Sequence, residues 1–397
     1  MITTINNKHK KLNVPNLRFP EFEEEWEESS IGEMFDLYSG NTPSRLNKEH
    51  FKGTVNWISS GELKEHYLSS SKEQISEEAA KNLKLLPVGT FVIAIYGLEA
   101  EGVRGTGSIT QEPSTISQAC MSFIPKGVIE NEFLYSWYKK HGNVIGIRYA
   151  QGTKQQNLSY DILEKFRIAY PNTKEQEKLN KFISLLDKRI ATQNKIIEDL
   201  KMLKCAIIEK VYSEIQGKEY SYGQLFDVVN ERNKQMEYSN ILSASQEKGM
   251  VNRDDLNLDI QFERSNINTY KIVRKGDYVI HLRSFQGGFA FSDKLGVCSP
   301  AYTILRPNSL LEYGYLSNYF TSLRFIKSLV LVTYGIRDGR SINVDEWLRM
   351  KITIPPKEHQ QYIVKVIGTF ERKIEDEEAY AAQLSIQKQY LLRQMFI

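Results

Sequence analysis

A long segment of the chain repeats itself, and this repeat constrains the fold more than any other feature. Residues 161–212 match residues 345–396 at a constant offset of 184 without a gap, so that Pro171 falls on Pro355. Within each copy the apolar residues recur at alternating steps of four and three. This spacing keeps one stripe in line along a helix and is the pattern of a coiled coil. Each copy follows a proline, where helices commonly begin.

The side chains of this stripe are predicted to lie between the two helices. Polar residues interrupt the stripe at the same two places in both copies, Gln193 and Lys204 in the first and Glu377 and Lys388 in the second. Buried polar groups at such positions cost stability but select one alignment of the helices. The predicted interface consists of Leu179, Ile183, Leu186, Ile190, Ile197, Leu200, Ile207, Ile363, Ile367, Phe370, Ile374, Leu384 and Leu391.

Each helix has about 40 residues and a length of roughly 60 Å, and it cannot bury its apolar stripe alone. Pairing of the two helices with each other is the favoured interpretation. Packing of each helix on its own globular domain is the alternative.

The repeat also continues upstream of the helices. Residues 87–93 and 274–280 both read as a turn glycine that leads into an apolar strand. The sequence therefore predicts an α+β fold with a pseudo-twofold internal repeat, in which two similar globular domains are separated by two long helices that form an antiparallel coiled coil. The predicted segments are a polar N-terminal tail (1–16), the first domain (17–170), the central helix and hinge (171–217), the second domain (218–354) and the C-terminal helix (355–397).

Composition narrows the class of protein without identifying it. The 397 residues carry 52 basic and 49 acidic side chains, a net charge of +3, so any strongly cationic surface has to be local. The three cysteines lie far apart and form no cluster with histidine, which argues against a metal site and against an oxidising compartment. The sequence shows no apolar run of membrane-spanning length and no secretory signal, and we expect a cytoplasmic protein.

Catalytic motifs are missing from the sequence. It contains no GxxxxGK[ST], HExxH or GxSxG pattern and no Asn-Pro-Pro-aromatic run. The glycine-rich stretch Gly102–Gly107 fails the spacing of the dinucleotide fingerprint, and it is interpreted as a flexible loop. We therefore predict no catalytic residue and no metal ligand in this chain.

Two polar loops occupy matching places in the two halves, residues 149–158 and residues 333–343. In each, a glycine is followed two residues later by a cation, Lys154 in the first loop and Arg337 in the second. Gln and Asn pair bidentately with adenine and Arg with guanine in the major groove, whereas Lys and hydroxyl groups suit phosphate oxygens. One such loop alone is more often a solvated connection. Here the loop occurs at the same place in both halves but carries different polar residues in each, and this favours a role in the recognition of DNA.

Three further places offer polar contacts. One follows the apolar run 278–282, a second is its first-half counterpart at Tyr96, and a third is the stretch 56–62 with the cations before it. Trp57, in the third, is predicted to be a core residue rather than a stacking platform. The candidate DNA-binding residues are Arg45, Lys52, Ser59, Ser60, Tyr96, Lys154, Gln155, Gln156, Asn157, Arg283, Ser284, Gln286, Tyr334, Arg337 and Arg340.

Three sets of motifs recur or stand out along the chain. They are Pro15–Pro20 with Trp26, the loops Gly152-Thr153-Lys154 and Gly335-Ile336-Arg337, and the helix starts Pro171 with Glu175-Gln176 and Pro355 with Glu358-His359-Gln360. With these motifs, the whole chain resembles the specificity subunit of type I restriction–modification systems. The second helix start departs from the family's usual adjacent Glu-Gln pair because His359 stands between its two residues.

The resemblance implies two target-recognition domains, each reading half of a split sequence in double-stranded DNA. It implies that the helices space the domains and dock two modification (methyltransferase) subunits, to which restriction subunits add cleavage. It also implies that this chain is not an enzyme and binds no cofactor, while S-adenosylmethionine, Mg and ATP belong to the partner subunits.

Two other functions stay open at this point. One is a solitary DNA methyltransferase or nuclease with duplicated DNA-binding domains. The other is a structural coiled-coil adaptor for protein partners, which would show no salt-sensitive DNA binding.

Overall fold

The computed structural model describes residues 13–100, 102–152, 156–245, 248–255, 264–281, 288–334 and 341–397. The chain divides into two compact units. Unit 1 comprises Met1–Gln193 and Tyr380–Ile397, and unit 2 comprises Asn194–Ala379. Within the described ranges, no helix combines the length and the apolar character that crossing a bilayer requires.

Unit 1 is built on a mixed sheet whose strands lie in the order β2-β9-β6-β7-β4. Its strands are β1 (Glu27–Ser30), β2 (Phe35–Ser39), β3 (Val55–Ile58), β4 (Tyr67–Leu68), β5 (Glu73–Ile75), β6 (Phe91–Ala94), β7 (Gly107–Thr110), β8 (Ser114–Ile116), β9 (Cys120–Pro125) and β10 (Arg167–Tyr170). Its helices are α1 (Ile31–Met34), α2 (Glu77–Ala80), α3 (Asn131–Tyr149), α4 (Tyr160–Leu163) and the first half of α5 (Thr173–Ser213), with 3-10 turns at Lys48–Phe51 and Ser60–Glu62. A smaller sheet has the order β5-β3-β8, and β1 pairs with β10.

Unit 2 repeats this plan with shorter elements. Its strands are β11 (Lys218–Ser221), β12 (Phe226–Val229), β13 (Leu242–Ser245), β14 (Gly249–Asn252), β15 (Lys271–Val273), β16 (Tyr278–Ile280), β17 (Phe289–Phe291), β18 (Gly296–Cys298), β19 (Thr303–Pro307), β20 (Thr333–Tyr334), β21 (Ser341–Ile342) and β22 (Lys351–Ile354). Its helices are α6 (Tyr222–Leu225), α7 (Leu323–Ser328), α8 (Val344–Arg349) and α9 (Lys357–Met395), with 3-10 turns at Arg253–Asp255, Arg264–Thr269 and Leu329–Val332. The sheet order β12-β19-β16-β17 repeats β2-β9-β6-β7, and the pair β11-β22 repeats β1-β10.

The predicted turn glycines stand where the repeat places them. Gly89 precedes β6 with φ +82° and Gly276 precedes β16 with φ +94°. Glycine adopts positive φ without steric cost, which lets the chain turn directly into a buried strand. Phe91 and Tyr278, two residues after these glycines, are fully buried at the centre of their sheets.

Each core also takes in part of a long helix. In unit 1, Phe133 packs against Phe396, with the ring centroids 5.2 Å apart, and Leu392 and Met395 are buried in the same cluster. In unit 2, Tyr212 near the end of α5 is buried in the corresponding cluster. Both interpretations of the helices therefore hold in part, because the helices pair with each other and their ends pack on globular domains.

The helix segments run antiparallel within each unit. In unit 1, Asp187 forms an ion pair with Lys388, and Arg189 Nε donates to Tyr380 Oη over 3.1 Å. In unit 2, Lys201 pairs with Glu378 at 2.6 Å and Lys204 pairs with Glu371 at 2.7 Å. In both units the residue numbers rise along α5 as they fall along α9. The two polar lysines of the stripe thus find acidic partners on the other helix, which explains why they are tolerated there.

Six of the thirteen predicted interface side chains are buried and seven are half-buried, and the stripe shifts at two helix ends. Ile207 and Leu391 are only half-buried, and the next residues, Ile208 and Leu392, are buried instead. A straight helix turns every 3.6 residues, so a 3.5-residue stripe drifts around it. At these ends the globular core replaces the second helix as the packing partner, and the shifted face meets it. Leu179, Ile183, Ile197, Ile367, Ile374 and Leu384 are buried, while Leu186, Ile190, Leu200, Ile363 and Phe370 are half-buried.

Candidate nucleic-acid interface

Two loops that the sequence singled out separately lie side by side in unit 1. The turn after β6 and the loop after α3 form a backbone bridge between Tyr96 and Asn157. The Leu98 N–H donates to the Gln156 carbonyl over 3.0 Å. Asn157 and Gln151 exchange two further backbone hydrogen bonds, of 2.8 and 2.9 Å. The loop cluster, defined here as residues 96–100, 102–104, 151–152 and 156–157, is therefore one continuous hydrogen-bonded surface.

The loop cluster presents an amide and a guanidinium in fixed orientation. Arg104 Nη2 donates to Gln156 Oε1 over 2.8 Å, and the Gln156 N–H donates to Glu99 Oε2 over 2.8 Å. The Gln156 N–H lowers the pKa of Glu99, which keeps that carboxylate ionised. Amides and guanidinium groups are the side chains that pair with base edges, and holding them in place reduces the entropy lost on binding.

Arg104 is the candidate residue that the sequence did not reveal. It belongs to the stretch Gly102–Gly107, which was interpreted only as a flexible loop. Gly102 and Gly105 have φ of +73° and +72°, and they turn the chain so that Arg104 reaches Gln156. Among the described residues, Arg104 Nε has no hydrogen-bond partner. In the sequence, the only sign of this residue is a cation that stands between two glycines. Its contact with Gln156 could not be predicted, because the spacing of residues in the sequence does not show which distant loops meet in the fold.

The third candidate region uses much of its polar chemistry internally. Arg45 forms two hydrogen bonds with Glu73, of 2.9 and 2.7 Å, and its guanidinium lies over the ring of Phe51 at 4.5 Å. Trp57 is 4% exposed and belongs to the small cluster around β3, as predicted for a core residue. Lys52 pairs with Glu49.

The serines of this region serve local structure. The Ser59 hydroxyl donates to Glu62 Oε2 over 2.6 Å, and Ser60 is half-buried at the start of the 3-10 turn. Base contacts from Arg45, Lys52, Ser59 and Ser60 stay predictions, and DNA would have to compete with these internal partners.

The remaining predicted contacts lie beyond the described ranges. In unit 2, β20 pairs with β21 through Thr333↔Ile342 and Tyr334↔Ser341, so the predicted loop connects two paired strands. The side chain of Tyr334 is not described. The predicted residues outside the described parts are Lys154, Gln155, Arg283, Ser284, Gln286, Arg337 and Arg340.

A buried glutamine joins each long helix to its globular unit. Gln176 Nε2 donates to the carbonyls of Pro171 and Val128, over 2.9 and 3.2 Å, and its Oε1 accepts from the Glu130 N–H over 3.0 Å. We call this arrangement the glutamine clamp. Its carbonyl, amide and side-chain groups are all paired, so the buried amide side chain carries no unsatisfied-group penalty there.

Unit 2 contains the same clamp. Gln360 Nε2 donates to the carbonyls of Pro355 and Leu310, over 2.9 and 3.0 Å, and its Oε1 accepts from the Glu312 N–H over 2.8 Å. The sequence matched Gln176 with Gln360 but gave no reason for their identity. The reason is that each one fixes the start of its helix against the segment that begins near residue 128 or 310.

The N-terminal motif completes the junction in unit 1. Arg18 forms a bidentate ion pair with Glu175, with hydrogen bonds of 2.8 and 2.7 Å, and Glu175 is fully buried. Trp26 packs edge-on against Phe133 at 5.6 Å. At the offset of 184, His359 occupies the place of Glu175, and it is exposed. The departure at the second helix start thus falls at the position that binds Arg18 in unit 1.

The comparisons with known proteins agree with this organisation. The family model described as "Type I restriction modification DNA specificity domain" matches the chain twice, over residues 23–202 and 217–385. The type I restriction enzyme MjaIX specificity subunit of Methanocaldococcus jannaschii is 27% identical over 214 residues, which are 51% of this chain and 48% of that protein. The EcoR124I/EcoR124II specificity subunit of Escherichia coli is 31% identical over 189 residues, 46% of this chain and 45% of that protein.

Each of these alignments spans about half the length of the curated relative. The crystal structure of a type I restriction–modification S subunit from M. genitalium aligns with 97% of this chain and 99% of that chain. Its TM-score is 0.54 at 14% sequence identity, which shows a shared fold.

Proposed function

The chain belongs to the type I restriction modification DNA specificity family, and we propose that it is the DNA sequence-recognition subunit of a type I restriction–modification complex. In this proposal each unit carries one target-recognition domain, and each domain reads one half of a bipartite target in double-stranded DNA. The helices α5 and α9 form the scaffold on which two modification subunits and the restriction subunits assemble.

The observation that carries the proposal is one scaffold repeated with different polar loops. The sheet order, the terminal strand pair and the glutamine clamp recur in both units. The loops at matching places differ, with Gln156 and Asn157 in the first and Arg337 and Arg340 in the second. Two domains of the same fold whose loops carry different hydrogen-bonding side chains are suited to recognise two different half-sites.

The outward faces of the long helices support the scaffolding role. Leu185, Met202 and Leu203 of α5 are 48–64% exposed, and Tyr362, Ile386 and Tyr390 of α9 are 59–68% exposed. Large apolar and aromatic side chains in such positions are typical of protein–protein contact surfaces. We assign these faces to the modification and restriction subunits.

We propose that this chain carries out no chemistry itself. S-adenosylmethionine, Mg and ATP are then bound by the partner subunits, and the complex acts on DNA in the cytoplasm. The alternative of a solitary methyltransferase or nuclease is tested by incubating the purified chain with DNA and labelled S-adenosylmethionine. Methyl transfer or strand cleavage by the chain alone would favour that alternative.

The test of recognition maps methylated adenines in DNA treated with the chain and its modification subunits. We expect a split target for the wild-type complex, and a Gln156→Ala variant should relax the sequence in one half only. Gln111→Ala is the matched control, since Gln111 is an exposed glutamine of the same unit outside the loop cluster. If Gln156→Ala left both halves unchanged, the loop assignment would be wrong.

A further inference from the structure

Unit 1 encloses a histidine in a cage that has no counterpart among the described residues of unit 2. His66 Nε2 lies 2.9 Å from Glu132 Oε2, and His66 Nδ1 lies 3.2 Å from Asp187 Oδ2. The imidazole ring is stacked between Tyr67 and Tyr135, with centroid distances of 4.0 and 3.9 Å. Because both ring nitrogens face carboxylates, the doubly protonated imidazolium is the form of His66 that can donate a hydrogen bond to each of them.

A strand delivers this histidine to the cage. The Ile109 N–H donates to the His66 carbonyl over 2.8 Å, and Tyr67 pairs with Ile109 in the parallel strand β4. This strand is the fifth member of the unit 1 sheet. In the described part of unit 2, the sheet ends at β17, the counterpart of β7.

The positions around His66 can be matched residue by residue with unit 2. The glutamine clamps equate Glu130 with Glu312, and the pair Phe91–Tyr138 recurs as Tyr278–Phe320, with ring centroids at 5.7 and 5.4 Å. Both comparisons give an offset of 182 between residues 130–138 and residues 312–320. The helices keep their offset of 184, which equates residue 187 with residue 371.

This correspondence shows large side chains of the cage replaced by small ones. Glu132 is replaced by Gly314, Tyr135 by Ser317 and Lys139 by Thr321, and on the helix Ser184 is replaced by Gly368. A Cβ atom added at Gly368 would meet no atom within 4 Å. Among the described residues of unit 2, these small residues leave open space around the position that corresponds to His66, although Phe291 lies within 4 Å of a Cβ atom built at Gly314.

That space is a cavity of about 810 Å³. Its wall contains the replaced positions Gly314, Ser317, Thr321 and Gly368 together with Glu371. Most of the apolar wall is aromatic, and aliphatic side chains complete it. The aromatic residues are Phe289, Phe291, Tyr313, Tyr315 and Phe320, and the aliphatic ones are Ile326, Val364 and Ile367. Further charged or titratable residues of the lining are Lys248, His281, Asp293 and Glu375.

The charged pair of the cage is retained. Asp187 and Lys388 of unit 1 correspond to Glu371 and Lys204 of unit 2, which lie 2.7 Å apart and both line the cavity. A site with aromatic walls and a few convergent polar groups is typical of small-molecule binding, and this volume falls within the range of such sites, about 300–1,000 Å³.

We propose that the unit 2 cavity binds a small aromatic nitrogen heterocycle whose ring N–H donates to Glu371. The ligand takes the place that the His66 imidazole fills in unit 1, with aromatic walls against its faces and an acid at its edge. This proposal depends only on the internal comparison, so it stands or falls separately from the proposed DNA recognition.

The test uses 4-methylimidazole, the side-chain analogue of histidine, and counts its binding sites on the full chain by calorimetry or NMR titration. Wild type should bind one equivalent, in unit 2. His66→Gly should bind two, because the substitution empties the unit 1 cage. Ser317→Tyr, which restores the ring found at Tyr135, should leave only unspecific binding, and the two substitutions together should give one equivalent.

Two controls separate the ring chemistry from simple filling of space. Toluene has a similar shape but no N–H donor, and its affinity for wild type should be at least about tenfold lower. Glu371→Gln keeps the volume and removes the charge, and it should weaken 4-methylimidazole by about tenfold or more. The proposal is overturned if wild type binds no probe at concentrations that saturate His66→Gly, or if Ser317→Tyr and Glu371→Gln leave wild-type binding unchanged.

Discussion

The charge of His66 depends on its surroundings, and this gives unit 1 a pH dependence that can be measured. Burial by itself would lower the pKa of His66, but the hydrogen bonds from its ring to Asp187 and Glu132, and the charges of both, raise the pKa above its ordinary value. The imidazolium therefore stabilises the folded state below the ordinary pKa of about 6.5, and this stabilisation is lost as the pH rises through the higher folded value.

We expect His66→Gln to lower the free energy of unfolding by about 1.5–3 kcal/mol at acidic pH, the range for hydrogen bonds to charged groups. The difference from wild type should shrink as the pH is raised from about 5 through the folded pKa of His66, which lies above about 6.5. Lys139, whose pKa burial lowers to about 8, titrates in both proteins and cancels in the difference. Urea unfolding at a series of pH values measures this, and a difference that stays constant would contradict the assignment.

A substitution of Arg104 can distinguish a contact with a DNA base from a general electrostatic contribution to DNA binding. If its guanidinium contacts a guanine, Arg104→Ala should cost about 1–3 kcal/mol of binding and relax one base of the target. Arg148→Ala, at an exposed arginine in the last turn of α3, should reduce affinity less and leave the sequence preference intact. Binding to randomised duplexes at fixed salt distinguishes the two, and equal effects would argue against base contact by Arg104.

The contacts of individual side chains were the part of the structure that the sequence predicted least well. Gln156 and Asn157 could be selected because their side chains suit base edges, but the contacts of Gln156 with Glu99 and Arg104 bring together segments about 50 residues apart in the chain. His66 was one of six scattered histidines, and its partners come from α3 and α5. Spacing reports what one element does, whereas such sites are assembled from several.

At the scale of elements, the lysines in the helix stripe act as register markers. Lys388 pairs with Asp187 in unit 1, and Lys204 pairs with Glu371 in unit 2. Lys204→Glu places two acids together in a seam that solvent partly reaches, so it should destabilise the protein by about 1–2 kcal/mol, somewhat more than the loss of an exposed ion pair. Adding Glu371→Lys should recover most of the loss, and a double-mutant cycle by urea unfolding measures the coupling. Full additivity of the two substitutions would show that the pair does not interact.

The glutamine clamps predict equal effects in two distant parts of the sequence. Gln176→Leu leaves the Glu130 N–H and two carbonyls without partners, and Gln360→Leu does the same around Glu312. Each buried unsatisfied group costs about 1–3 kcal/mol, so each variant should lose roughly 3 kcal/mol of unfolding free energy. Gln387→Leu, at an exposed position of α9, is the control. A clamp variant as stable as this control would exclude the proposed role.

The helices show why the element scale was predictable. Apolar residues at steps of four and three identify the face of α5 and α9, and the prolines before them locate their starts. The pattern failed at Ile207 and Leu391, because the partner there is a globular core rather than a second helix. The periodicity of apolar residues shows which face of a helix is buried, but it does not show whether a second helix or a globular core covers that face.

For the whole molecule, the continuity of two helices predicts cooperative unfolding. Both α5 and α9 contribute residues to unit 1 and to unit 2. Unfolding of either unit would leave α5 and α9 fraying at the boundary of the other unit, so calorimetry should show one transition. Gln176→Leu should move that transition to lower temperature without splitting it. Two resolved transitions, one of them insensitive to Gln176→Leu, would show that the units unfold independently.

The discontinuity of unit 1 also sets an order of events on the ribosome. Unit 2 is one continuous stretch, Asn194–Ala379, and its whole core has been translated once that stretch leaves the exit tunnel. Unit 1 needs Leu392, Met395 and Phe396 to complete its core. The half that is synthesised first is therefore the half that matures last, because its apolar surface stays uncovered until residues 392–396 have been made and have left the ribosome.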